Sequence, residues 1–111
     1  MKWIRYVCLF SVMILLVGCT SGEKTKVNVG EVTRSIFYAP LYVAIEEGFF
    51  EEEGLDVNLT TIPGGDKTMT ALLSGGIDIG LIGAETSIYV AGQNPNDKVV
   101  NFAQLTQTDG T

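Results

Sequence analysis

Apolar and polar positions along this chain follow two different periods. An uncharged run from Tyr6 to Val17 comes first, and a polar stretch from Thr20 to Lys26 follows it. Lys26-Val27-Asn28-Val29-Gly30-Glu31-Val32 then alternates with period two and predicts a first strand, imperfect at Gly30 and Glu31. Leu55 to Ile62 repeats the alternation more cleanly. Ile77 to Ile82 predicts a third strand and Val99 to Leu105 a fourth. Between these segments the spacing changes to three and four residues. Pro40 suits a first helical turn, because its missing N–H has no partner to lose there. Leu41, Ala44, Ile45 and Phe49 share one helical face, with Tyr42, Glu46 and Glu47 opposite. Gly48 suggests a break or C-cap, and Phe49 to Glu53 a further short turn closed by Gly54. Asp66 is placed to cap a helix whose buried stripe is Met69, Leu72 and Leu73, and Gly75-Gly76 ends it. Glu85 to Ala91 predicts a third helix, followed by a loop from Gln93 to Asp97. Strands alternating with helices of this length predict an α/β fold: a mostly parallel sheet with helices on both faces.

The two ends of such a sheet carry different residue types. Helix-to-strand links are Gly54, Gly75-Gly76 and Asn94 to Asp97, which is ordinary turn chemistry. Strand-to-helix links are Thr33 to Tyr38, Pro63 to Asp66 and Gly83 to Ser87, with Thr106 to Asp109 after the fourth strand. In open α/β sheets ligands sit beyond the carboxyl ends of the strands, where helix N-termini also present unpaired N–H groups to a small anion. Each polar residue there has two readings. Gly64-Gly65 serves a turn or a ligand contact, and Thr86 and Ser87 serve as N-caps or as contacts. Arg34 is a surface charge or an anion contact; Phe37 and Tyr38 are core residues or a stacking wall. Glu51-Glu52-Glu53 reads as a solvated helix end.

The first residues read as an address. Lys2 and Arg5 precede the apolar run, and small residues follow it, which is the layout of a secretory signal. Spanning a bilayer core takes about 20 apolar residues, and the run is shorter than that. Leu16-Val17-Gly18-Cys19 resembles the lipobox of bacterial lipoproteins, in which the Cys becomes the lipidated first residue of the mature chain. The plainer alternative is a Cys that falls by chance at a cleavage site. The expected organisation is a lipoprotein signal peptide over 1–18, a flexible tether over 19–26 and a folded unit over 27–111.

Composition narrows the chemistry. The chain has 111 residues, 13 acidic and 7 basic, for a net charge of −6. Without Lys2 and Arg5 the basic count is 5 against the same 13 acidic residues, and the net charge is −8. That balance argues against a nucleic-acid partner and suits a tether of acyl chains on Cys19 better than a basic membrane patch. Histidine is absent from the chain, which removes Ser-His-Asp and Cys-His catalysis and zinc sites with imidazole ligands from it. Both cysteines, Cys8 and Cys19, precede the folded unit, so a thiolate metal cluster or disulfide framework has no residues there. No phosphate-binding Gly-x-x-x-x-Gly-Lys loop occurs, and Gly80 with Gly83 lacks the dinucleotide spacing. No catalytic residue, metal or cofactor is expected.

Two signatures then point to a family. Tyr38-Ala39-Pro40-Leu41-Tyr42-Val43-Ala44, with Glu47-Gly48-Phe49-Phe50 and Gly54-Leu55-Asp56-Val57, resembles the opening of solute-binding proteins of ABC importers. The nearest group is the nitrate, sulfonate, taurine and thiamine-pyrimidine-precursor type. Ala71-Leu72-Leu73-Ser74-Gly75-Gly76-Ile77-Asp78-Ile79-Gly80 resembles its second signature. The resemblance spans about Val27 to Leu105. It implies a two-lobed clamshell of periplasmic-binding-protein type, of which this chain carries an incomplete first lobe without the second. It also implies an extracytoplasmic, lipid-anchored protein that delivers a small anionic or zwitterionic solute to ABC permease subunits. By position, the ligand contacts carried over are Ser35, Phe37, Tyr38, Gly64, Gly65, Ala84, Glu85, Thr86, Gln107 and Thr108. Glu85 departs from the small residue expected there and favours a ligand with an amine or ring N–H. Two other readings stand beside this one: the sensing lobe of a larger signalling protein, and an enzyme like the pyrimidine-precursor synthase that shares the fold.

Overall fold

The computed structural model describes residues 1, 3, 22–93, 96 and 99–106. In chain order the elements are β1 (Thr25–Glu31), a 3-10 turn (Ile36–Tyr38), α1 (Ala39–Glu46), α2 (Phe49–Glu52), β2 (Leu55–Thr61), α3 (Gly65–Leu73), β3 (Ile79–Leu81) and α4 (Ala84–Gln93). The strands form one parallel sheet in the order β2-β1-β3, so β1 is central. Val29 lies beside Leu59 on one side and Ile79 on the other, and Glu31 beside Thr61 and Leu81.

Strand parity divides the sheet into two faces. Val27, Val29 and Glu31 share a face with Leu55, Val57, Leu59 and Thr61, and α1 reaches this face through Tyr42. Asn28 and Gly30 share the other with Asn58, Thr60 and Gly80, and α3 packs there. Helices therefore cover both faces, as the alternation of periods requires. Met69, Ile77 and Thr68 are buried where α3 meets the sheet, and Val29 is buried on the opposite face. Gly30 is a consequence of the α3 packing. A Cβ on it would sit 2.6 Å from Ile77 Cδ1, 3.1 Å from Ile62 Cδ1 and 3.4 Å from Thr68 Cγ2. The residue that looked like a flaw in β1 is what lets α3 come close.

The helix ends follow local chemistry. Gly75 has φ +76° and donates to Leu72 O at 3.1 Å, and Gly76 donates to Ala71 O at 2.8 Å. These are the paired bonds of a Schellman cap, and they require a left-handed residue after Ser74. Gly48 closes α1 in the same conformation, with φ +76° and its N–H on Ile45 O at 3.2 Å.

Several expectations change in the folded chain. The first strand begins at Thr25, inside the segment expected as tether, because Thr25 N–H donates to Gly54 O at 2.8 Å and pairs with Leu55. Gly64, and not Asp66, is the N-cap of α3; Asp66 lies in the first turn, where a carboxylate complements the helix dipole. Met69 is buried and Leu72 half-buried, but Leu73 is exposed. Tyr42, expected on the outer face of its helix, turns inward to the end of β1. The fourth strand does not form: residues 99–106 carry no regular structure. Val100 and Phe102 are 76% and 73% exposed there, and parallel pairing is stable only where both faces are covered. The segment is held instead by side chains, with Asn101 Nδ2 donating to Ser87 Oγ at 2.7 Å.

Candidate functional site

Because all three strands run parallel, the links after β1, β2 and β3 leave the sheet at one edge. The first link is ordered by its own polar groups. Ser35 has extended backbone, accepts from Phe37 N–H at 3.3 Å through Oγ and from Tyr38 N–H at 3.0 Å through its carbonyl, and so caps the 3-10 turn. This leaves Ile36 and Phe37 exposed at the rim and Tyr38 half-buried. The second link turns at Gly64, whose φ of +108° suits only glycine and where a Cβ would lie 2.7 Å from Asp66 Oδ1. Thr68, fully buried, shares its hydroxyl proton between Ile62 O at 2.9 Å and Gly64 O at 3.0 Å, pinning that turn from beneath.

In the third link the Glu85 carboxylate folds back over Gly83. Thr86 Oγ1 donates to Gly83 O at 2.7 Å and Ser87 Oγ to Ala84 O at 2.6 Å. Both hydroxyls thus donate to carbonyls at the start of α4. A Cβ on Gly65 would lie 3.3 Å from Thr86 Cγ2, so α3 and α4 begin side by side with glycine making the room. The fold brings Gly65 and Thr86 together and keeps Gly64, Ala84 and Glu85 on the same edge by topology. Cys19, Gln107 and Thr108 lie outside the described residues, as does most of the expected signal segment.

Arg34 and Ser35 belong to a network that the pattern of residues did not announce. Glu31, the last residue of β1, is 0% exposed. Its Oε1 accepts from Thr61 Oγ1 at 2.9 Å and pairs with Arg34 Nε at 3.1 Å, while Oε2 accepts from Tyr42 Oη at 2.6 Å. Tyr42 Oη in turn accepts from Ser35 N–H at 3.1 Å. The Arg34 guanidinium lies 5.0 Å from the Tyr42 ring centroid, and its side chain stays 64% exposed. Desolvation, and then the hydrogen bond to the Glu31 carboxylate, raise the Tyr42 phenol above its ordinary value of 10.0. A phenolate there would face a buried carboxylate, so Tyr42 is held as a donor. Arg34 is accordingly neither a free surface charge nor an uncommitted anion contact: one edge serves Glu31, and the rest faces outward.

Glu31, Tyr42 and Thr61 are the residues of this edge that the pattern of the chain did not single out. A signal existed for two of them. Parity places Glu31 with Val27 and Val29, and Thr61 with Leu55, Val57 and Leu59, on a face that is apolar from Leu55 and Val27 up to these two residues. Polar residues at the carboxyl end of inward-facing rows are the mark that periodicity carries. Nothing local marks Tyr42. Among the described residues, no group of three or more His, Cys, Asp or Glu is placed to hold a metal ion, and no helix is long and apolar enough to cross a membrane.

The profile of the NMT1-like family matches residues 20–109, most of the chain. The chain belongs to the NMT1-like family. Within it, this NMT1-like chain is 60% identical over 115 residues to a Bacillus subtilis (strain 168) protein named "Putative binding protein YtlA". That alignment takes in 99% of this chain and 34% of YtlA, so the chain spans about a third of its relative's length. No solved structure matches it.

Proposed function

We propose that this chain is the first lobe of a solute-binding lipoprotein that serves an ABC importer outside the cytoplasm. The solute is a small anionic or zwitterionic organic molecule, of the sulfonate, taurine, nitrate or pyrimidine-precursor class. It is bound at the carboxyl edge of the sheet and handed on to permease subunits, with hinge closure and no covalent chemistry. The observation that carries this reading is the convergence of three strand-to-helix links on one edge, with the starts of α3 and α4 close enough that a Gly65 Cβ would touch Thr86. Helix starts there supply N–H donors and a positive dipole end to an anionic group, and exposed Ile36 and Phe37 supply apolar cover. Family membership and the binding-protein name of YtlA support the same class of function. In this reading residues 1–18 are a removed signal, Cys19 carries the lipid, and the tether runs from Cys19 to the start of β1 at Thr25.

Thermal melting and calorimetry of the full protein with taurine, an alkyl sulfonate, nitrate and an aminopyrimidine test the proposal. A saturable rise in melting temperature with one of them is the expected result. No response to any of the four overturns the solute class. Mass spectrometry of the exported protein tests the anchor, for which the expected product begins at a diacylated Cys19.

A further inference from the structure

Glu31 contributes no donor to the rim and is closed to solvent, yet three separate segments converge on it. Thr61 comes from β2, Tyr42 from α1 and Arg34 from the first link. A buried carboxylate is costly unless its lone pairs are met by donors held in place. Holding the donors also holds the segments that carry them. Tyr42 passes the constraint on, since the hydroxyl that donates to Glu31 also accepts the Ser35 N–H, and Ser35 Oγ then accepts from Phe37 N–H. Arg34 is fixed from the other side: its Nε meets Glu31 and its guanidinium lies over the Tyr42 ring, with most of the side chain exposed.

We propose that Glu31 is the positioning residue of the binding edge: through Tyr42 it shapes the link that carries Ser35 and Phe37, and through Arg34 it presents a guanidinium edge to the anionic group of the solute. The second clause rests on the binding function proposed above; the first does not. The two are separable by measuring the link without ligand.

Hydrogen exchange of the Ser35 amide in the full chain reads the first clause. Y42F removes its acceptor, and the amide is expected to exchange about tenfold faster, with the Gly76 amide unchanged. E31Q is expected to act in the same direction through Tyr42. T61V takes a donor from Glu31 without touching the link, so it lowers the melting temperature and leaves Ser35 exchange as it was. Equal Ser35 exchange in the parent and Y42F, or the same change in T61V as in E31Q, overturns the positioning role. Calorimetry with taurine reads the second clause: R34Q and E31Q are expected to weaken binding about tenfold or more, while K24A, at the opposite end of the sheet, does not. Binding unchanged in R34Q overturns the guanidinium assignment. If the parent protein binds none of the four probes named above, the functional proposal fails, and the exchange measurement still decides the role of Glu31.

Discussion

Two cross-strand pairs of polar residues, three positions apart on the same two strands, have opposite fates. Asn28 faces Asn58 near the amino end of the sheet, and Glu31 faces Thr61 at the carboxyl end. The first pair is exposed. Asn58 Nδ2 donates to Asn28 Oδ1 at 3.2 Å, and Asp78 Oδ2 accepts from Asn28 N–H at 2.8 Å, so the row extends the ladder between β1 and β3. Water can satisfy any of these groups if a partner is lost. The second pair lies on the other face, where Glu31 has no water and depends on Thr61, Tyr42 and Arg34. A polar cross-strand pair is ornament to the ladder in one row and a structural constraint in the other. Solvent decides which.

The comparison can be broken most directly at Glu31. E31A leaves the Tyr42 and Thr61 hydroxyls without their shared acceptor and is expected to cost about 2–3 kcal/mol in denaturant unfolding. A loss as small as that of an exposed site would remove the distinction between the rows. Next in size is G30A, which forces a methyl against Ile77 and Ile62; about 1–3 kcal/mol is expected, measured the same way. D78A removes the carboxylate that meets the Asn28 N–H in the exposed row, and about 1 kcal/mol or less is expected. K24A cuts the ion pair of Lys24 with Glu51, 2.7 Å long between exposed side chains, and is expected to move stability by less than about 1 kcal/mol.

Alkaline titration sharpens the contrast from another side. The folded chain holds the Tyr42 proton more tightly than the unfolded chain does, because its phenol is raised above 10.0. The stabilisation is therefore fully present below pH 10 and is lost as pH rises from there through the raised folded value. Unfolding measured across that window is expected to show this decline in the parent protein, and Y42F is expected to lack that component. A parallel decline in Y42F would assign the alkaline loss to other groups.

Much of the element order was legible along the chain. Alternation at Leu55 to Thr61 needs only neighbours two residues apart, and a Schellman cap at Gly75 needs only the turn before it. The edge that carries the candidate site was legible too, since alternating elements imply parallel strands and parallel strands put their outgoing links together. The misreadings share one cause. Gly30 and Glu31 looked like flaws in a strand, although each answers to a distant partner: Ile77 and Thr68 for the first, Thr61 and Tyr42 for the second. Val99 to Leu105 has the composition of a strand, but composition does not supply the cover that a parallel edge strand needs.

By itself, then, the order of residues determined the succession of the strands and helices that form, which links carry glycine and hydroxyl groups, and how charge is spread along the chain. Those properties depend on steric and hydrogen-bonding rules that act within a turn or two. Tertiary structure alone decided that β1 lies between β2 and β3, that Gly65 meets Thr86, and that one carboxylate is sealed from water among three donors. Burial belongs to an assembled surface, and the cost of a charge is set by the donors that other segments bring to it.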